Sequence, residues 1–289
     1  MIVLFNDMRV LTTLESLRRQ AKKPDSILIA DGGSNEVFIK QICDFITENK
    51  LKNVELKILP GRCIDTRRQV IDYLIDKTDI IAFIDSDEEA YNIWWLIELL
   101  NPIIKGEADF VGGNIIPTTA KTDAERILNI IQYQSQEMYD KDISYIAMGN
   151  SAWKMDIFKK IGNFDASSIS TKTDKDYTKG KIGGSYHVSD DYDINVRAVN
   201  AGFKGVFAKD AQVLHNQSQI DSTKKLIKYF YSQFVRTSMA YFKHGMSLNK
   251  FTKGTTKIAI SHPFQFILIL IRPIAMIRGW IEWKKCLNN

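Results

Sequence analysis

The first 116 residues alternate short apolar runs with stretches of helical periodicity, and this alternation constrains the fold more than any other feature of the sequence. Five apolar runs predict β-strands, and between them apolar residues recur at helical spacing. The predicted strands are Met1–Phe5, Ser26–Ala30, Val54–Leu59, Ile80–Ile84 and Phe110–Ile116. Strands that alternate with helices favour a mostly parallel sheet with right-handed crossovers.

Aspartates follow two of these predicted strands. Asp31 comes directly after the second strand, and Asp85 and Asp87 follow the fourth. Ligands bind beyond the carboxyl ends of strands in open sheets of this kind, so a binding site is expected at that edge. Buried carboxylates need a compensating charge, and a hard divalent cation carrying phosphate oxygens can supply it. An acidic, solvated turn is the alternative interpretation of Asp85 and Asp87.

The middle of the chain has a different pattern. Thr122–Tyr139 is periodic like a long helix, whereas residues 163–189 are polar and long for a loop. The block from Ser189 to Asp193 then opens a predicted helix that stops at Gly202. Ser189 can cap that helix, and acids in its first turn suit the helix dipole. Capping is therefore an alternative to a catalytic role for these aspartates.

The charge distribution separates an acidic body from a basic tail. The formal net charge is +5, but residues 224–289 contain 12 Lys+Arg and a single acid, Glu282. Within this tail, His262–Trp280 is apolar, with amphipathic interruptions at Arg272 and Pro273. Such a segment favours contact with anionic lipid or nucleic acid.

Taken together, these motifs resemble those of the family 2 glycosyltransferases, whose nucleotide-sugar-binding fold is called GT-A. The resemblance covers residues 1 to about 215, with the motifs in the family's order. It rests on Leu14–Gln20, Ile29–Ser34, Gly61 with Thr66-Arg67, Asp85-Ser86-Asp87, Gly149–Ala152 with Ile161–Asp165, Ser189–Asp193 with Arg197, and Ala211–His215. Two departures are a short first strand without the family's usual Pro-x-Tyr-Asn ending, and Asp190 in place of the commoner glutamate.

The resemblance implies a GT-A catalytic domain in residues 1–220, with a mostly parallel α/β sheet flanked by helices. Residues 1–116 would form its nucleotide-sugar-binding half and residues 117–220 its acceptor half. Residues 221–289 would be a basic, amphipathic helical C-terminal region that associates with a membrane surface. A helix packed on the catalytic domain, or in a dimer, is the alternative for this last region.

The resemblance also implies an inverting, metal-dependent transfer of a sugar, of the hexosyltransferase type, from a nucleoside-diphosphate sugar to an acceptor hydroxyl. The donor would be bound by Asp31, Arg67, Asp85 and Ser86. A divalent cation, Mn²⁺ or Mg²⁺, would be held by Asp87 and His215. The catalytic base would be Asp191. The acceptor side would include Asp190, Asn150 and Trp153.

Simpler roles are open for several of these residues. Arg67 has the alternative of a surface side chain, and His215 and Trp153 that of packed side chains. For the whole chain, the alternatives are a non-catalytic nucleotide-sugar-binding protein and a nucleotidyltransferase with a related fold. The combination of Asp85, Asp87 and Asp191 argues against the first, and the lack of a glycine-rich, basic loop after the first strand argues against the second.

The expected acceptor is a lipid-linked or cell-surface glycan precursor, and the expected location is the cytoplasmic face of the cell membrane. The first predicted strand begins at Met1, which leaves no signal peptide, and three widely spaced cysteines fit a reducing compartment. The apolar spacing of the basic tail suits peripheral contact with anionic lipid better than binding of nucleic acid. The oligomeric state stays open, a homo-oligomer included.

Overall fold

The computed structural model describes residues 1–139, 146–165, 188–216, 220–245 and 264–287. The chain divides into two compact units. Unit 1 consists of Met1–Thr118, Tyr139–Phe164 and Arg197–Asn216, and unit 2 of Thr119–Met138, Asp165–Val196 and Gln217–Asn289. Unit 2 therefore combines the predicted C-terminal region with segments that the sequence placed in the acceptor half.

The strands of the described residues all lie in unit 1. They are β1 (Ile2–Leu4), β2 (Ile27–Asp31), β3 (Val54–Ile58), β4 (Ile80–Ile84), β5 (Glu88–Ala90), β6 (Phe110–Pro117), β7 (Asn150–Lys154) and β8 (Gly205–His215). The helices are α1 (Val10–Arg18), α2 (Glu36–Glu48), α3 (Cys63–Leu74), α4 (Trp95–Ile104), α5 (Asp123–Tyr139), α6 (Met155–Ile161), α7 (Asp190–Asn200), α8 (Thr223–Lys243) and α9 (Phe264–Leu287). All five strands predicted in the first 116 residues are confirmed.

The strands form two sheets, which are joined by backbone hydrogen bonds between Met1 and β4. A parallel three-stranded sheet has the order β1-β2-β3, and a five-stranded sheet has the order β4-β7-β6-β8-β5. The Met1 nitrogen donates to the Ala82 carbonyl (2.7 Å), and the Ile84 N–H donates to the Met1 carbonyl (3.1 Å). These two bonds are spaced as in a parallel pair and place β1 beside β4. The carboxyl ends of β1, β2 and β4 consequently lie at one edge, as the sequence predicted.

The five-stranded sheet is mixed. β6 and β8 run parallel, whereas β7 is antiparallel to both β4 and β6, and β5 is antiparallel to β8. Leu14 and Leu17 of α1 share one buried core with Ile2 and Leu4 of β1, so the edge that carries the aspartates rests on a continuous core. The prediction of an α/β fold with parallel strands and flanking helices is confirmed.

Helices α5, α8 and α9 pack together in unit 2. Their shared core includes Leu128 of α5, Leu226 and Phe230 of α8, and Phe264 and Leu268 of α9. The helices α8 and α9 approach closely at Gly279, where an added Cβ would lie 2.6 Å from the Cβ of Ser238. One face of α9 is therefore packed against other helices of the chain, as the alternative to membrane association predicted. Among the described helices, none is long and apolar enough to cross a membrane.

Candidate active site

The turn after β2 is built around the side chain of Asp31. One carboxylate oxygen of this buried residue accepts the N–H groups of Gly33 (2.9 Å) and Ser34 (2.8 Å), and the other accepts the Ser34 hydroxyl. The carboxylate therefore shapes its own turn. Oδ1, which accepts the Ser34 hydroxyl, has a second lone pair that can accept a further donor, and the predicted contact of Asp31 with the nucleotide stays a prediction.

The loop after β1 holds this turn in place. The Asn6 N–H donates to the Ser34 hydroxyl (2.7 Å), and the Asn6 side-chain oxygen accepts from the N–H (3.1 Å) and the side-chain amide (3.0 Å) of Asn35. Asn35 in turn caps α2 by accepting the Phe38 N–H (2.9 Å). The ends of β1 and β2 are thereby joined into one surface at the edge of the sheet.

The residues after β4 bring three carboxylates together. Asp85 Oδ1 accepts from Arg67 Nη2 (2.9 Å), and Asp87 Oδ2 lies 3.3 Å from His215 Nε2. Glu88 Oε2 accepts the backbone N–H of Asp85 (3.1 Å), and the pairing of β5 with β8 sets Glu88 opposite His215. Arg67 is buried, which excludes the alternative of a surface arginine.

The pKa values of these groups indicate that the cluster is short of positive charge. Burial, together with the charge of Asp85, raises the pKa of Glu88 to about 8, which keeps this carboxyl mostly neutral at pH 7. Burial also raises the pKa of Asp85, although the Arg67 ion pair opposes that rise. Burial alone would lower the pKa of His215, but the hydrogen bond to Asp87 and the surrounding carboxylates raise it to about 9.

Arg9 and Glu88 belong to this cluster and were missed by sequence reasoning. Arg9 Nη1 lies 3.6 Å from Asp87 Oδ2, and its Nη2 pairs with Asp7 Oδ2 at 2.6 Å. Ser86, predicted to contact the nucleotide, places its hydroxyl 3.5 Å from Asp7 Oδ2. The available signals were the position of Arg9 just beyond the carboxyl end of β1 and the adjacency of Glu88 to the aspartate motif.

Asp87 and His215 fit the requirements of ligands for a divalent cation. Two ligands at right angles around Mg²⁺ lie about 3 Å apart, close to the 3.3 Å between Asp87 Oδ2 and His215 Nε2. The protonated imidazole supplies the positive charge beside Asp87 that a cation would supply instead. No three His, Cys, Asp or Glu side chains of the described ranges form a metal-binding group. Magnesium ions commonly take one or two protein carboxylates and complete their shell with substrate phosphates and water.

Gly149 lies against this cluster and leaves no room for a side chain. An added Cβ would be 2.7 Å from Asp85 Oδ2 and 2.9 Å from Glu88 Oε1. We expect Gly149→Ala to push both carboxylates aside and lower donor turnover by about 100-fold, because ångström-scale misplacement of site groups has effects of that size. The thermal midpoint should change little, since only the ends of two side chains must move.

The matched control for Gly149→Ala is Gly106→Ala. Gly106 has φ +72 and open space around its Cα, so alanine there is strained without meeting any neighbour. That variant should lose about 1 kcal/mol of stability and keep its activity. Activity assays and thermal melts of both variants make the comparison, and equal activity of the two would contradict the role of Gly149.

Asn150 and Trp153, assigned by the sequence to the acceptor side, are corrected to structural roles. Both side chains are fully buried. The Asn150 amide donates to the carbonyls of Asn114 and Ala211, each at 2.9 Å, and accepts from the Trp95 indole (2.9 Å). The Trp153 ring stacks on Phe110 with 4.5 Å between centroids. Neither side chain has surface left for an acceptor.

The acidic block at the start of α7 lies in unit 2, where residues of α8 and the residue that follows this helix bind two of its members. Arg236 Nη2 donates to Asp190 Oδ1 (3.1 Å), and Asp193 Oδ1 lies 2.6 Å from Lys243 Nζ and 2.9 Å from His244 Nε2. Asp190 and Asp193 are buried, whereas Asp191 between them is half-buried. The flanking ion pairs therefore fix the turn of helix that carries Asp191.

Residues 1–162 match the family model for glycosyl transferase family 2, which is more than half of the chain. The chain belongs to glycosyl transferase family 2. The match includes Asp31 and the Asp85-Ser86-Asp87 motif, whereas Asp191 and His215 lie beyond it. No curated protein sequence matches the chain.

Solved structures of glycosyltransferases share the fold of this family 2 member. One is the mannosyltransferase PcManGT from Pyrobaculum calidifontis, in complex with GDP-Man and Mn²⁺, with a TM-score of 0.59 and 11% sequence identity. The match covers 97% of this chain and 72% of the PcManGT chain. Another is GalNAc-T7 with UDP, GalNAc and Mn²⁺, with a TM-score of 0.51 and 15% sequence identity. The match covers 95% of this chain and 54% of the GalNAc-T7 chain. At these identities the likeness shows a GT-A fold and not a shared donor.

Proposed function

We propose that this family 2 glycosyltransferase is a metal-dependent, inverting enzyme that transfers a hexosyl group from a nucleoside-diphosphate sugar to an acceptor hydroxyl. The observation that carries the proposal is the pairing of Asp87 with His215 beside the crowded carboxylates Asp85 and Glu88. Such a cluster is stabilised by added positive charge, and a cation bound with a diphosphate supplies it.

The donor would bind at the carboxyl edge of the sheet in unit 1. Asp87 and His215 would hold Mn²⁺ or Mg²⁺, which stabilises the negative charge that develops on the leaving diphosphate. Asp85, oriented by Arg67, would accept a hydrogen bond from a ribose hydroxyl. Asp31 and Ser86 would add contacts to the nucleoside.

Asp191 would act as the general base. Its carboxylate would take the proton of the acceptor hydroxyl as that oxygen bonds to the anomeric carbon and the bond to the diphosphate breaks. A single displacement of this kind inverts the anomeric configuration. The first turn of α7 favours the ionised carboxylate that this role needs, because the helix dipole stabilises negative charge there. Asp190 would lie on the acceptor side.

The acceptor would be a lipid-linked or cell-surface glycan precursor at the cytoplasmic face of the cell membrane. Support comes from the basic composition of residues 224–289, which suits an anionic surface.

A panel of nucleoside-diphosphate sugars tests the donor chemistry. With Mn²⁺, at least one donor should release its nucleoside diphosphate, a chelator should stop the release, and added Mn²⁺ or Mg²⁺ should restore it. A nucleoside diphosphate and Mn²⁺ together should also raise the thermal midpoint more than either alone, since a ligand that binds only the folded state stabilises it. Release that is unaffected by the chelator would contradict metal dependence, and a product with retained configuration would contradict inversion.

A further inference from the structure

Helix α9 carries an extended set of exposed apolar side chains, which we call the α9 apolar face. Each of its nine members is more than a third exposed. They are Phe266, Ile267, Ile269, Leu270, Ile274, Ile277, Trp280, Ile281 and Leu287. A surface helix of a soluble protein normally has a polar outer face, and contiguous exposed apolar surface marks a site of interaction.

The packing of α9 on α8 determines which side chains point outward. Buried positions recur at helical spacing along α9, at Phe264, Leu268, Ala275, Gly279 and Glu282. The close approach at Gly279 leaves no space for α9 to rotate its apolar face inward, because a larger residue at that contact would meet α8. The exposure of the apolar face is thus a consequence of well-packed contacts on the opposite side.

Basic side chains flank the apolar face at both ends. Near the start of α9, the Phe264 ring lies 6.4 Å from the ring of Phe230 on α8. Later in α9, Gly279 lies against Ser238, which also comes later in α8, so the two helices run in the same direction. The exposed Lys224, Lys225 and Lys228 of α8 therefore lie toward the start of α9. Lys284 and Lys285 lie at its end, with the exposed Arg278 nearly two turns earlier.

The single acid of the tail does not offset this charge at the surface. Glu282 is buried, and its Oε1 is bound by Arg278 (2.6 Å) and Lys285 (3.2 Å). Two copies of the chain joined through their apolar faces would bring the exposed basic residues of both copies together. Few acids oppose them, because Glu282 is buried and Asp221 is already paired with Lys225 (2.7 Å). Like charges in close contact disfavour such a dimer, whereas an anionic surface neutralises them.

We propose that α9 docks on the surface of an anionic phospholipid bilayer and lies in the plane of the membrane. The apolar face would enter the boundary between headgroups and acyl chains, with the lysines at both ends against lipid phosphates. Trp280 suits this boundary because its indole ring is apolar and also carries an N–H donor. The docking is independent of sugar transfer, since it needs neither donor nor acceptor.

Vesicle flotation of the full chain tests the proposal. The protein should float with vesicles of mixed phosphatidylglycerol and phosphatidylcholine, less with phosphatidylcholine alone, and less at high salt. The double variant Ile274→Asp, Ile277→Asp should lower partitioning onto anionic vesicles by at least about tenfold. The matched control is Ile104→Asp on α4, because Ile104 and Ile277 are each 63% exposed. That control should bind vesicles like the unmodified protein.

The possible outcomes separate the proposals. Failure of the unmodified protein to float, or equal loss in the Ile104→Asp control, would overturn membrane docking. A dimer that the double variant converts to a monomer, without vesicle binding by either, would assign the face to a second copy. Unchanged donor hydrolysis by the double variant in the absence of vesicles is expected, and this measurement keeps a failure of docking distinct from a failure of the proposed catalysis.

Discussion

Replacing Asp87 with asparagine should lower donor turnover by about 1,000-fold or more while the protein stays folded. The amide has nearly the same shape as the carboxylate and can still hydrogen-bond with His215, but it lacks the charge that holds a cation. Charge stabilisation by a bound metal contributes several kcal/mol to such a reaction, and about 4 kcal/mol corresponds to this loss. The measurement is release of nucleoside diphosphate at saturating donor over a range of Mn²⁺ concentrations.

The control for Asp87→Asn is Asp44→Asn, which removes the same charge from an exposed i,i+4 pair with Lys40 on α2. An exposed pair of this kind contributes less than about 1 kcal/mol, so the control should match the unmodified protein in activity and melting temperature. Near-normal turnover by Asp87→Asn at low Mn²⁺ would remove Asp87 from the metal site. Equal loss in both variants would point to a general effect of net charge.

The strands of the first half could be predicted because their signal is local. A run such as Ile80–Ile84 is apolar at every position, and the observed β4 has the same bounds. β5 and β7 have no such signal, since β5 begins with two glutamates and β7 contains Asn150 and Ser151. They become strands through pairing with β8, β4 and β6, which are distant in sequence, and this tertiary context overrides local preference.

The site shows the same division between local and distant determinants. The edge shared by Asp31 and Asp85 followed from alternation alone, because parallel strands present their carboxyl ends together. The contact of Arg9 with Asp87 depends on how the loop after β1 folds back, which the sequence does not encode locally. Trp153 was assigned to the acceptor side because it lies near Gly149 in the sequence. An aromatic residue at such a position can line a pocket or belong to the core, and the sequence alone does not distinguish the two.

The interruptions of the C-terminal apolar stretch have a structural explanation that the sequence alone could not supply. Arg272 seemed to break the stretch, but its guanidinium lies 5.8 Å from the centre of the Phe234 ring, on the side of α9 that packs against α8. The charge is therefore placed away from the apolar face, which continues past it from Leu270 to Ile274. Whether a charged residue interrupts the apolar face of a helix can be decided only when the packed face of that helix is known.

Replacing Asp191 with asparagine should lower transfer to the acceptor by about 1,000-fold and leave donor binding unchanged. General bases contribute roughly 100- to 10,000-fold to rates of this kind, and the amide cannot accept the proton. Because the Asp191 side chain is half-buried and asparagine is also tolerated in the first turn of a helix, the melting temperature should stay near that of the unmodified protein. Transfer assays and nucleotide titrations measure the two effects separately.

Two other aspartates in unit 2 make this test specific to the base. Asp123 also lies in the first turn of a helix and is 86% exposed, so Asp123→Asn should keep full activity. Asp193 is buried beside Lys243 and His244, and Asp193→Asn should lower stability by about 2 kcal/mol because a neutral amide replaces the buried carboxylate that accepts hydrogen bonds from them. A catalytic Asp191 predicts lost transfer with normal melting, whereas an Asp191 that only caps the helix predicts retained transfer, because asparagine can cap in its place. Full transfer by Asp191→Asn would assign the base to another residue.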